Sequence, residues 1–79
     1  MGKGKNLATQ RYKDKFASRL RVILAARNVS GSELSRRTGI TETSVNDYCN
    51  GRTLPNAYFV AKICTALNAD ANELLGVRR

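Results

Sequence analysis

This chain of 79 residues has no histidine and only two cysteines, Cys49 and Cys64, which lack C-x-x-C spacing. Structural zinc and imidazole-based acid–base chemistry therefore lose their usual groups together. No glycine-rich phosphate loop, metal-ligand set or nucleophile beside a recognisable base occurs, which sets an enzyme aside. No cofactor, metal or small-molecule ligand is expected. No apolar run of about 18 residues occurs either, so no transmembrane helix is encoded. The N-terminus is polar and basic without an apolar h-region, so it does not read as a secretory signal. Acidic residues are scarce: 6 Asp and Glu stand against 14 Lys and Arg, a formal charge of +8. That imbalance favours a polyanionic partner, nucleic acid before an acidic membrane surface. The plainer reading is a basic surface kept for solubility.

What is present is helical periodicity in a chain sized for one domain and one modest core. Residues 1–10 carry two glycines and two lysines, Lys3 and Lys5, and read as a flexible basic arm. Residues 11–76 read as the folded domain and 77–79 as a frayed tail. Phe16, Leu20, Ile23, Leu24 and Arg27 share one face of a first helix over 11–28, with Lys13, Lys15, Arg19 and Arg21 mostly elsewhere. Asn28 is a plausible stop. Ser30 with Glu33 forms a capping box opening a second helix. Leu34, Ser35 and Thr38 lie on its packing face, and Gly39 offers the positive φ of a sharp turn. Ile40 plugs the turn, and Thr41 caps a third helix over about 42–50, which Gly51 ends. Gly51 and Pro55 bound a loop. Asn56 caps a fourth helix, lined by Val60, Ile63, Cys64 and Leu67. Asp70 with Glu73 opens a short fifth helix ending at Leu75. Both cysteines fall on apolar helical positions, so they read as small core residues in a reducing cytosol, and the expected location is cytoplasmic. The expectation is an all-α, compact five-helix domain.

The two short helices joined at Gly39 form a helix-turn-helix, whose second helix is shaped for the DNA major groove. Glu42, Thr43, Asn46 and Asp47 share the face opposite Val45 and Cys49 and are the four candidate base contacts. Asn46 can pair with adenine, Thr43 can meet a thymine methyl, and Glu42 can accept from a cytosine amino group. Two acids on this face oppose phosphate. Glu42 has a reason to be there, since an anion near a helix N-terminus is stabilised by the macrodipole. Asp47 has no such reason in the sequence. Candidate backbone contacts are Arg36, Arg37, Ser44, Arg52, Thr53 and Asn56, with the N–H groups at the start of helix 2 suited to a phosphate. Arg36 and Arg37 also stand at i+3 and i+4 from Glu33, where an ion pair is the alternative.

Leu34-Ser35, Gly39-Ile40-Thr41, Val45, Asn50-Gly51-Arg52 and Pro55 resemble the phage lambda-repressor/Cro family of helix-turn-helix domains, the XRE-like group. The resemblance continues through Lys62-Ile63-Cys64, Ala66-Leu67-Asn68 and Leu74-Leu75-Gly76, and so covers residues 16–76. It implies the compact lambda-repressor-like fold, a double-stranded DNA partner, base reading at Glu42, Thr43 and Asn46, and phosphate contact or capping at Ser44. Relatives carry a glutamine at the start of helix 2 where this chain has Gly31, which keeps the backbone donor and loses the side-chain clamp. Arm lysines such as Lys3 and Lys5 wrap the duplex in some relatives. Relatives bury an arginine–glutamate pair at positions that match Leu24 and Cys49, so those two residues are expected to touch here. Relatives also self-associate near the last helices, and Tyr58 with Leu74, Leu75 and Val77 is the matching homodimer candidate. Phe59, at i+4 from Ile63, reads as core.

The function expected is a sequence-specific DNA-binding regulator of phage, mobile-element or bacterial type, acting as a repressor. A protein-interaction adaptor or antitoxin-like module on the same fold is the rival, favoured by the acids on helix 3. Membrane-surface binding needs a broad exposed apolar helix face, and helix 1 spends its own on the core.

Overall fold

The computed structural model describes residues 7–76, which form five α-helices: α1 Leu7–Arg27, α2 Gly31–Thr38, α3 Glu42–Cys49, α4 Ala57–Leu67 and α5 Ala71–Leu75. No strand occurs among the described residues, and no described helix is long and apolar enough to cross a membrane. α1 packs against α3, α4 and α5, while α2 packs against α3 and α4.

α1 starts at Leu7, ahead of the start expected at residue 11. The cause is tertiary. Gln10 Nε2 donates to Asp14 Oδ1 at 3.0 Å and to the Gly51 carbonyl at 3.2 Å, which docks the first turns on the loop after α3. Lys3 and Lys5 lie outside the described residues.

The core follows the helical spacing. Phe16, Leu20, Ile23 and Leu24 of α1 meet Leu34, Ile40, Val45, Ile63, Leu67 and Leu74, all buried in one cluster. Each such apolar side chain contributes on the order of 1.5–3 kcal/mol when fully buried. Four placements differ from the sequence expectation. Arg27 leaves the packed face, is exposed, and donates from Nε to the Leu67 carbonyl at 2.7 Å and from Nη2 to the Asn68 carbonyl at 3.2 Å. There it serves the carbonyl end of α4, where a cation opposes the helix dipole. Tyr48 and Val29 join the core although the periodicity did not single them out. Leu74 is fully buried, so it cannot belong to an exposed dimer contact. Cys49 and Cys64 are half-buried and pack against the cluster from outside. Leu24 lies inside the cluster, and Cys49 packs against the cluster's edge.

The helix starts are capped as their sequences indicate. Ser30, Thr41, Asn56 and Asp70 each accept a backbone N–H from the first turn that follows. Such a cap contributes about 1 kcal/mol. Neither capping box closes reciprocally. Glu33 turns instead to Arg36 and Arg37, and Asp70 accepts from Asn72 N. Asn28, Gly39, Asn68 and Gly76 close their helices in the left-handed region, and Gly51 takes the same conformation after α3.

Candidate nucleic-acid interface

The turn between α2 and α3 fixes the angle at which α3 is presented. Gly39 adopts φ +79°. On one side of it the buried Thr38 Oγ1 donates to the Leu34 carbonyl at 2.8 Å and accepts from Ile40 N at 3.2 Å. On the other, the Ser35 hydroxyl donates to the Ile40 carbonyl. Val45 and Ile40 then anchor the start of α3 in the core.

With Val45 and Tyr48 turned inward, Glu42, Thr43 and Asn46 are left exposed on α3, and Asp47 stands half-buried beside them. These four line one side of a cleft of about 650 Å³, together with Ser30, Gly31 and Ser32 at the start of α2. Arg21 and Arg52 add two guanidinium groups to the same cleft. The first N–H groups of α2 therefore open onto the space that the α3 side chains face. The Asn46 side chain is partly tethered, because Asn50 Nδ2 donates to its Oδ1 at 3.2 Å and to its backbone carbonyl at 2.9 Å.

Charge on this surface is largely organised in pairs. Arg52 Nη1 lies 3.1 Å from Asp47 Oδ1, and Arg52 N donates to the Asp47 carbonyl at 3.0 Å. Glu33 holds two arginines at once: Arg36 Nη2 pairs with Oε1, and Arg37 Nε with Oε2 at 2.9 Å. Arg37 Nη1 also donates to the Ala66 carbonyl at 3.3 Å. The i+3 and i+4 ion pairs foreseen for Glu33 are thus both formed. Burial pushes the Cys49 thiol up from its ordinary value, with the Arg21 charge opposing, so Cys49 lines the cleft as a neutral group.

The cleft gathers Glu42, Thr43, Asn46, Asp47, Gly31 and Arg52. Arg36, Arg37, Ser44, Thr53 and Asn56 lie outside its lining. Ser44 is spent on the helix start: its N–H donates to Thr41 Oγ1 at 3.1 Å, and its hydroxyl accepts from Thr41 Oγ1 at 3.0 Å. Asn56 caps α4, with its side-chain oxygen accepting from Phe59 N at 2.8 Å. Thr53 is exposed. Two parts of the site escaped sequence reasoning. Periodicity puts Arg21 on an outer face of α1, yet Nη1 donates to the Cys49 carbonyl at the end of α3. The available signal was its i+4 relation to the buried Ala17, which puts both on one stripe. Ser30 and Ser32 flank Gly31, and only the capping role of Ser30 was legible.

No curated protein matches the chain. The restriction-modification controller protein C.AhdI from Aeromonas hydrophila matches with a TM-score of 0.75 and 27% identity, over 78% of this chain and 94% of that one. An HTH_3 family transcriptional regulator from Vibrio cholerae matches with a TM-score of 0.79 and 19% identity, over 86% of this chain and 38% of that one, a likeness of fold. The model of the Cro/C1-type helix-turn-helix DNA-binding domain matches residues 19–78, which includes α2, α3, α4 and α5 and part of α1. The chain belongs to the Cro/C1-type helix-turn-helix DNA-binding domain family.

Proposed function

We propose that this chain is a sequence-specific repressor that inserts α3 into the major groove of double-stranded DNA and acts as a homodimer. The observation that carries the reading is the cleft in which Glu42, Thr43 and Asn46 stand exposed beside the start of α2 and two guanidinium groups. Side chains of those types discriminate base edges, each good bidentate pair by about 1–3 kcal/mol, while cations and helix N-termini hold the phosphates. Gly31, Arg52 and Arg21 are the phosphate contacts the cleft supports directly. Arg36, Arg37, Thr53 and Asn56 supplement them at its margin. C.AhdI, which this chain resembles, is itself a controller protein. The location that suits this role is the bacterial or phage-infected cytoplasm.

The dimer contact centres on Tyr58, which is exposed, carries Lys62 Nζ 5.3 Å from its ring centroid and leans on Phe59 at 5.8 Å. Leu75, half-buried on α5, is the second residue offered for it, and Val77 lies outside the described residues. Two copies would set their α3 helices about 34 Å apart, one turn of DNA.

Selection from a random duplex library at about 50 and 200 mM salt tests the reading, because phosphate contacts weaken over that range while base preference persists. A two-fold motif enriched at both salts is expected. A single half-site would replace the dimer with a monomer. Binding at low salt without enrichment would reduce the function to charge. No binding at either salt would transfer the surface to a protein partner.

A further inference from the structure

The sequence left Asp47 without a reason to sit on a DNA-reading face, and the structure supplies one. Its carboxylate holds Arg52 at 3.1 Å, and the backbone brings the two together again through Arg52 N and the Asp47 carbonyl at 3.0 Å. Both side chains line the cleft with Thr43 and Asn46. The pair is accessible, with Arg52 64% and Asp47 30% exposed, so it is held weakly and opens readily. Among the described residues, Arg52 spends only Nη1 in this way, which leaves Nε and Nη2 directed at no protein acceptor. A guanidinium half-committed to a carboxylate is a natural phosphate ligand, since its planar fork matches both anions.

We propose that Asp47 and Arg52 form an exchangeable ion pair that makes the Arg52 phosphate contact conditional on the base pair facing Asp47. This rests on the DNA-reading function proposed above. When Arg52 turns fully to a phosphate, the Asp47 carboxylate is released on the reading face, next to Asn46. An acceptor-only group there is satisfied by a base amino group, cytosine N4 first and adenine N6 second. Guanine O6 and N7 or thymine O4 would instead set acceptor against acceptor. On a matching sequence the exchange completes: Arg52 binds the phosphate and Asp47 binds the base. On other sequences Arg52 stays with Asp47, and the phosphate is left unbound. Asp47 thus rejects wrong sequences as well as accepting the right one.

The test compares the wild-type chain with Asp47→Asn and Arg52→Gln, reading the selected motif, the affinity for a scrambled duplex and the salt slope. For wild type the slope on the selected duplex should exceed that on scrambled DNA by about one neutralised phosphate. Asp47→Asn frees Arg52 for any phosphate. Scrambled-duplex affinity should rise about 2- to 5-fold, the range set by a weak exposed pair. The difference in slope should vanish, and a preference of about 10-fold at one base pair should be lost. Arg52→Gln should lower affinity for the selected duplex, cut its slope by about one and keep that base-pair preference. A wild-type motif left unchanged by Asp47→Asn, or a scrambled-duplex affinity that stays level or falls, would overturn the exchange and leave the DNA reading standing. Failure of the wild-type chain to enrich any motif would overturn both.

Discussion

Ser35 holds the corner of the helix-turn-helix with its hydroxyl, which donates to the Ile40 carbonyl across the turn. The position is half-buried, on a helix that packs against α3 and α4. Ser35→Leu adds volume and strands that carbonyl, so a loss of at least ~1–3 kcal/mol is expected in a denaturant melt. Gly39 and Gly51 allow a sharper comparison, since both adopt left-handed backbone, at φ +79° and +74°. A Cβ at Gly39 meets nothing within 4 Å, whereas at Gly51 it would lie 2.8 Å from Asp14 Oδ1. Gly39→Ala should therefore show the conformational cost alone, about 1–2 kcal/mol. Gly51→Ala should cost more, because it also displaces the carboxylate that Gln10 holds. Equal melting midpoints for the two variants would refute the crowding at Gly51. Gly39 was legible as a turn residue, but the crowding at Gly51 was not, because a contact across such a separation in sequence leaves no local pattern.

At the scale of the helix, α3 separates two demands on eight residues. Val45 and Tyr48 secure it to the core, and Thr41 with Ser44 closes its start. Glu42, Thr43 and Asn46 are then free of structural duty apart from the Asn50 tether. Asn46→Ala should thus leave helical content unchanged and cost about 1–3 kcal/mol of discrimination at one base pair, read by competition between duplexes that differ there. A loss spread evenly over all sequences would show that Asn46 holds phosphate instead. The elements were legible because each start carries a short polar cap and most stops carry glycine or asparagine. Those signals are local, as at Ser30, Thr41 and Asn68. What stayed hidden was set by long-range partners. The first turns of α1 needed Gly51, Arg27 needed the end of α4, and Arg21 needed the end of α3. The candidate site was readable on α3 for the same reason, since one helical face fixes which side chains stand together. Of its cations Arg52 was readable beside the end of α3, whereas Arg21 was not, because its carbonyl partner lies 28 positions away.

For the molecule as a whole, stability should respond to alkali and not to the neutral range. The chain has no histidine, so no imidazole titrates near neutrality. Burial raises the Cys49 and Cys64 thiols above 9.0 and the Tyr48 phenol above 10.0. Below those ordinary values both folded and unfolded chains hold the protons. Above them the unfolded chain releases protons first, so folding stability falls as pH climbs through the raised folded values. Denaturant midpoints should stay level from about pH 6 to 8 and decline from about pH 9. The Cys49→Ala, Cys64→Ala double variant should delay the onset of that decline, and an unchanged profile would remove the thiols from the account. The docking of Gln10 on Gly51 has a consequence in time as well as in shape. It makes the opening of the first turn of α1 and the loosening of the loop after α3 a single event. Amide protons in those two segments, 41 positions apart, should exchange with deuterium at matched rates. DNA bound against α3 should slow the exchange of both, and Gln10→Ala should uncouple them.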